Sequence, residues 1–316
     1  MGRQYPIRWR HVHAICRFSG KQTVNLALTV LEIVAPVFFL AAIGFAWVKL
    51  GFEYRIQFVT QLAMTLSVPA LIFSALLKTK IDPESLSIVS LAAIVAYLAV
   101  TVVAWLLVSL AGLDRRTYLA PAIFGNTGNL GLPLALFAFG QEGLGYAVVI
   151  FAIMGVYSFT FGVWLVSGGG SPLKVVKEPL VGATLLGALF LWQGWKVPAF
   201  LFNTIDLLGQ MAIPLMLITL GVALARISPG RLGRPAGIAV VKVAICAAIA
   251  WAVGLWFRLP PVPFGVLVLQ LSTPVAVTSY LLAEKYGARS EEVAGLVVVS
   301  SLFAVVTIPL ILALVI

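Results

Sequence analysis

The chain has 316 residues, 61% hydrophobic and only 10% charged, whereas charged residues make up roughly a quarter of a soluble globule. This excludes an ordinary soluble domain and points to a polytopic α-helical membrane protein. The net charge of +10 is not a nucleic-acid footprint, because the 21 basic residues are spread singly among polar stretches, as the positive-inside bias spreads them.

Residues 1–24 are basic (Arg3, Arg8, Arg10, Arg17, Lys21). The apolar run that follows is too long for the roughly 7–15 residues of a signal-peptide core, so residues 1–26 read as a tail ahead of a first membrane helix. His11 and His13 stand in that tail without a carboxylate or cysteine cluster, so no metal is expected. Cys16 and Cys246 define no disulfide framework.

Ten apolar segments follow, at about 27–48, 56–77, 86–111, 117–138, 144–166, 177–195, 199–225, 236–257, 262–283 and 293–315. Each is near the roughly 20 residues that cross a bilayer. A glycine-rich linker, 167–176, separates a first set of five (27–166) from a second (177–316). The sets resemble repeats. Pro36 and Gly44 match Pro179 and Gly187 at an offset of 143, Pro69 matches Pro214 at 145, and Pro133 matches Pro274 at 141. With five spans in each, the second set enters the membrane inverted, an arrangement typical of secondary transporters. Beyond the tail, eleven basic residues fall in loops after odd-numbered spans and four (Lys78, Lys80, Lys196, Arg258) after even-numbered ones. That places the linker in the cytoplasm and both termini outside.

The fourth span carries Gly125-Asn126-Thr127-Gly128-Asn129-Leu130-Gly131-Leu132-Pro133, poor helix material at membrane depth. Freed backbone groups are tolerated there only where they are buried in protein or line a wet cavity. The stretch therefore reads either as a broken helix carrying Asn126, Thr127 and Asn129 to a binding site, or as a glycine-rich packing seam with a kink. In the ninth span Ser272 and Thr273 precede Pro274. A hydroxyl cap followed by proline suits a helix restart, and an ordinary proline kink is the alternative. Two half-helices starting near the midplane would aim free N–H groups at an anion, and an asparagine amide can donate to a carboxylate without adding a fixed charge. Ser67 before Pro69 and Gln210 before Pro214 lie on matched spans and face either the same cavity or the packing.

Lys242, inside the eighth span, reads either as a central charge that costs roughly 2.5–3.5 kcal/mol or as a side chain that snorkels towards the surface. There is no P-loop, metal-ligand cluster or Ser/His/Asp set, so neither an enzyme nor a cofactor is expected.

Over residues 27–316 the chain resembles the auxin efflux carrier family, which includes the plant PIN-FORMED exporters and malonate or malate permeases. Asn126 to Leu134 (NTGNLGLPL) resembles the family's N-T-x-x-x-G-x-P-L in the fourth helix, and Thr273 to Gly287 (TPVAVTSYLLAEKYG) its ninth-helix segment. The resemblance implies ten helices in two inverted five-helix repeats, all-α and similar to bile-acid sodium symporters, with helices four and nine crossing at breaks. It places the family's carboxylate-binding asparagine on Asn126 and the crossover prolines on Pro133 and Pro274. The sequence departs from the plant pattern at Val275, where those exporters have Gln, and lacks their long central loop. The expected function is alternating-access transport of small organic anions, above all carboxylates, across the cell membrane. A coupling proton and a homodimer are compatible with it. A sodium-coupled symporter and a ligand-binding membrane sensor are the alternatives.

Overall fold

The structure, a computed structural model, describes residues 20–78, 83–168, 179–226 and 233–316. His11, His13, Cys16 and most of the linker lie outside the described residues. The elements are helical throughout, with no strand among the described residues: α1 (Gly20–Lys49), α2 (Ile56–Lys78), α3 (Pro83–Leu110), α4 (Arg115–Ile123), α5 (Thr127–Ser167), α6 (Pro179–Gln193), α7 (Ala199–Arg226), α8 (Gly233–Trp256), α9 (Pro261–Leu271), α10 (Val277–Lys285) and α11 (Ser290–Val315). The stretch 20–26, expected in the tail, is already helical, so α1 extends upstream of its apolar run.

Seven of these helices are long and apolar enough to cross a membrane: Leu28–Lys49 within α1, Glu84–Leu110 within α3, and α2, α5, α7, α8 and α11. The chain folds as a polytopic all-helical membrane protein. Three expected spans do not appear as single long helices. Residues 117–138 are divided between α4 and the start of α5, residues 262–283 between α9 and α10, and α6 is short. α5 is itself interrupted at Gly140, whose φ of 65° and ψ of −156° fall outside the helical region.

Proline explains several irregular turns, since it removes a backbone donor and crowds the preceding turn. A π-turn, Ala63–Ser67, precedes Pro69 in α2, and another, Thr127–Gly131, precedes Pro133 in α5. α7 is irregular at Met211, just before Pro214. These wider turns accommodate the ring without ending the helix.

The helices pack as two bundles. α1, α2, α6 and α7 form one, with α1 against α7 and α2 against both α6 and α7. α3, α4, α5, α8, α9, α10 and α11 form the other. Glycines allow the first to close tightly: a Cβ at Gly221 would lie 1.7 Å from the Ala41 carbonyl oxygen, and one at Gly44 2.0 Å from that of Ile218. In lipid, where apolar side chains gain little by leaving their solvent, such backbone approach is a main source of helix association.

Candidate functional site

The two interrupted stretches meet inside the second bundle. α4 ends at Ile123 and α9 at Leu271, and the chain continues extended through Phe124 (φ −92°, ψ 120°) and Ala276 (φ −65°, ψ 134°). Gly125 and Val275 form an isolated antiparallel bridge. The Asn126 N–H donates to the Pro274 carbonyl at 2.7 Å, and the Ala276 N–H to the Phe124 carbonyl at 3.3 Å. The Val275 N–H donates to Ser300 Oγ on α11 at 3.0 Å. This short pairing explains how non-helical backbone survives at membrane depth: each broken segment hydrogen-bonds the other.

The pairing corrects two expectations about the prolines. Pro274 is not the first residue of a restarting helix. It lies in the extended segment, and α10 begins at Val277 after Ala276, because the backbone of 274–276 is committed to 124–126. Thr273 does not cap forwards either; its hydroxyl donates back to the Gln270 carbonyl at 2.7 Å. Pro133 sits beyond the π-turn inside continuous helix, so the fourth-span interruption is at Phe124–Asn126.

Around the crossing, several buried polar atoms have no hydrogen-bond partner: Asn126 Nδ2, Thr127 Oγ1, Ser272 Oγ and both amide atoms of Gln270. Each such group costs about 1–3 kcal/mol of desolvation, so a cluster of them marks either stored instability or a place where a ligand completes the bonding. Space here is tight. A Cβ on Gly125 would stand 2.3 Å from Thr273 Oγ1, and one on Gly131 2.2 Å from Gln270 Oε1.

Two clefts open between the bundles, one on each side of the crossing, and share no lining residue. The first, about 150 Å³, takes Thr60, Thr219 and Arg226 from one bundle and Asn129, Thr278 and Tyr280 from the other. At its lip Arg226 donates to the Tyr54 carbonyl at 2.5 Å and the Tyr54 hydroxyl pairs with Thr219 Oγ1 at 2.8 Å. The second, about 240 Å³, is walled by Ser74, Lys78, Asp206 and Gln210 on one side and Leu136 and Gln141 on the other. There Lys78 pairs with Asp206 at 2.6 Å, and the Gln210 amide donates to the same carboxylate at 3.1 Å.

The candidates from the sequence thus separate into groups. Asn126, Thr127, Ser272, Thr273 and Pro274 converge at the crossing, and Asn129, one turn beyond Asn126, faces the first cleft. Gln210 belongs to the second cleft. Ser67 is buried in the π-turn of α2 with its hydroxyl unpartnered. Lys242 does not snorkel. Only 4% of it is exposed, and its ammonium donates to the Thr273 carbonyl at 2.8 Å. A mid-membrane lysine costs roughly 2.5–3.5 kcal/mol, which argues for a specific role. Gln270 and the basic residues of the clefts escape a sequence reading: Gln270 stands one turn before Pro274, and only the crossing reveals what it faces.

Two stretches of the chain, 29–175 and 167–312, match the family described as membrane transport protein. The chain is 24% identical over 305 residues to a protein named only as an uncharacterized transporter from Methanocaldococcus jannaschii, covering 89% of this chain and 97% of that one. It is 25% identical over 265 residues to a "Putative malonate transporter" of Rhizobium meliloti, covering 77% and 82%. An uncharacterized transporter of Methanothermobacter thermautotrophicus is 26% identical over 294 residues, covering 88% and 96%. With interrupted helices crossing between two clefts and family matches along almost the whole sequence, the chain belongs to the membrane transport protein family, that of the auxin efflux carriers, and is a multi-pass membrane transporter rather than an enzyme.

Proposed function

We propose that the protein is a secondary carrier of small organic anions, above all carboxylates, working by alternating access in the cell membrane. The observation that carries this reading is the Asn126 amide: a buried, unpartnered donor at the crossing of two interrupted helices, between a cleft on one side and a cleft on the other. Alternating access needs one site that two opposed openings can reach in turn. The α3–α5 and α8–α11 bundle, which holds the crossing, would rock against the bundle of α1, α2, α6 and α7. Arg226 gives the first cleft a basic group that favours entry of an anion, whereas in the second Lys78 is paired with Asp206.

Ten passes in two inverted repeats suit this mechanism, and the packing supports that reading. Gly44 on α1 meets Ile218 on α7, and its sequence match Gly187 on α6 meets Leu76 on α2. First-on-seventh and sixth-on-second are the pairs that a two-fold exchange of the repeats would produce. We place the loops that carry Arg55, Arg116 and Arg226 in the cytoplasm. Malonate is the first substrate to test, because one of the relatives is named for it. Purified protein in proteoliposomes should take up labelled malonate and exchange it for unlabelled malonate. Binding of carboxylates without flux would reduce the protein to a sensor, and neither binding nor flux across a panel of mono- and dicarboxylates would overturn the substrate class.

A further inference from the structure

Lys242 is the one buried lysine among the described residues. Its ammonium meets the chain where two helices end. The acceptor, the Thr273 carbonyl, lies just past the last turn of α9. Ala122, in the last turn of α4, walls the same apolar cavity of about 250 Å³ as Lys242, and Cys246 Sγ, one turn along α8, lies 4.0 Å from the Ala122 carbonyl. The acceptor carbonyl is also 3.3 Å from where a Gly125 Cβ would stand. The carbonyl end of α9 therefore meets this ammonium, with the end of α4 beside the same cavity. A helix C-terminus carries the equivalent of roughly half a negative charge, and a cation near it is stabilised. None of the ion pairs among the described residues includes Lys242.

The geometry points to Lys242 as the resident cation of the crossing: its ammonium holds the Thr273 carbonyl at the C-terminal end of α9, beside the end of α4. The same charge leaves the N-terminal ends of α5 and α10 free to face an anion, so the lysine acts as a positioning residue for the anion site. An exchangeable cation such as sodium is then unnecessary in the native protein. Removing the side chain leaves the Thr273 carbonyl facing an apolar cavity that a small alkylammonium ion can enter. The cation site stands on the buried contacts alone; its link to anion binding rests on the function proposed above.

The test uses full-length protein and three variants, Lys242→Ala, Lys242→Arg and Lys242→Gln, melted without substrate in sodium, choline or ethylammonium chloride. The native protein and Lys242→Arg should melt at the same temperature in all three salts. Lys242→Ala should melt lower in choline and in sodium and recover in ethylammonium, the recovery growing with the logarithm of concentration as linkage requires. Lys242→Gln, a neutral donor, should not replace the lysine. Malonate affinity, read separately, should fall about tenfold or more in Lys242→Ala in choline, equivalent to 1.4 kcal/mol per decade, and return with ethylammonium. A sodium-dependent melting temperature in the native protein overturns the proposal. So does a Lys242→Ala protein indifferent to ethylammonium, or a Lys242→Gln protein equal to the native one. If Lys242→Ala does not fold, the native protein, Lys242→Arg and Lys242→Gln still decide. Absence of malonate binding in the native protein would count against the substrate class and leave the melting result to judge the cation site.

Discussion

Asn126 is the residue on which the binding argument depends, and its burial makes opposite predictions for binding and for stability. Its Nδ2 is enclosed without an acceptor, and a hydrogen bond from it to a carboxylate would be worth roughly 1.5–3 kcal/mol. Asn126→Ala should therefore weaken malonate binding by about ten- to a hundred-fold. Asn126→Asp should be worse, since a like charge would face the anion. The unliganded melting temperature should hold or rise slightly in Asn126→Ala, because an unsatisfied donor is removed; lost stability with unchanged affinity would make Asn126 a structural tie. Gln270 allows a second comparison. Both of its amide atoms are buried and unpartnered against Gly131. Gln270→Leu keeps much of the volume and discards two unsatisfied groups, so it should melt higher than the native protein. If the amide serves the transport cycle, turnover should fall at the same time, the familiar exchange of function for stability. A Gln270→Leu protein that melts lower would mean that the amide finds partners in the native state after all.

At the scale of the elements, what maintains the interruption is the pairing of 124–126 with 274–276, and that pairing needs Gly125. Gly125→Ala would drive its Cβ to 2.3 Å from Thr273 Oγ1, and overpacking of this kind costs about 1–3 kcal/mol. In Gly125→Ala/Thr273→Ala the hydroxyl is gone and the nearest side-chain atom of residue 273 stands 3.5 Å away. The double variant should regain much of the stability and transport that Gly125→Ala loses, a coupling expected between groups in contact. Strict additivity of the two changes in melting temperature would remove the crowding argument. Pro133→Ala should be milder than Gly125→Ala, because Pro133 lies in continuous helix beyond the π-turn. The sequence makes the existence of both interruptions legible, because glycines, asparagines and prolines clustered in otherwise apolar stretches weaken a helix where lipid offers the freed backbone no partner. Their positions are not legible to the residue. Proline advertises a break by its own chemistry, whereas the break actually falls where two distant segments find each other's hydrogen bonds, and pairing at long range leaves no local signature. Lys242 is visible for the same reason as Asn126, as a polar group in an apolar run. Whether such a side chain reaches back to the surface or inward to a carbonyl is decided by α9, which lies elsewhere in the sequence.

For the whole molecule, the division into two bundles with clefts between them makes motion of one against the other the central mechanical claim. Thr219 and Thr278 line the first cleft from opposite bundles. Ser74 and Gln141 do the same for the second, whereas Ser74 and Gln210 both belong to the α1, α2, α6 and α7 bundle. In a background lacking Cys16 and Cys246, a short bifunctional thiol reagent joining Thr219→Cys to Thr278→Cys should arrest malonate flux, and so should one joining Ser74→Cys to Gln141→Cys. Joining Ser74→Cys to Gln210→Cys should leave flux largely intact, because it ties two helices that move together. All three cross-linked proteins should still bind malonate, since none of these residues belongs to the crossing itself, and the two inter-bundle cross-links should each expose the site to only one side. An impermeant blocker added to sided vesicles should then inhibit binding from one face for the first pair and from the other face for the second. Full flux with both inter-bundle pairs cross-linked would show that the bundles do not move relative to each other. A carrier with a fixed pair of bundles would need its substrate to pass the crossing through smaller rearrangements of α4, α5, α9 and α10.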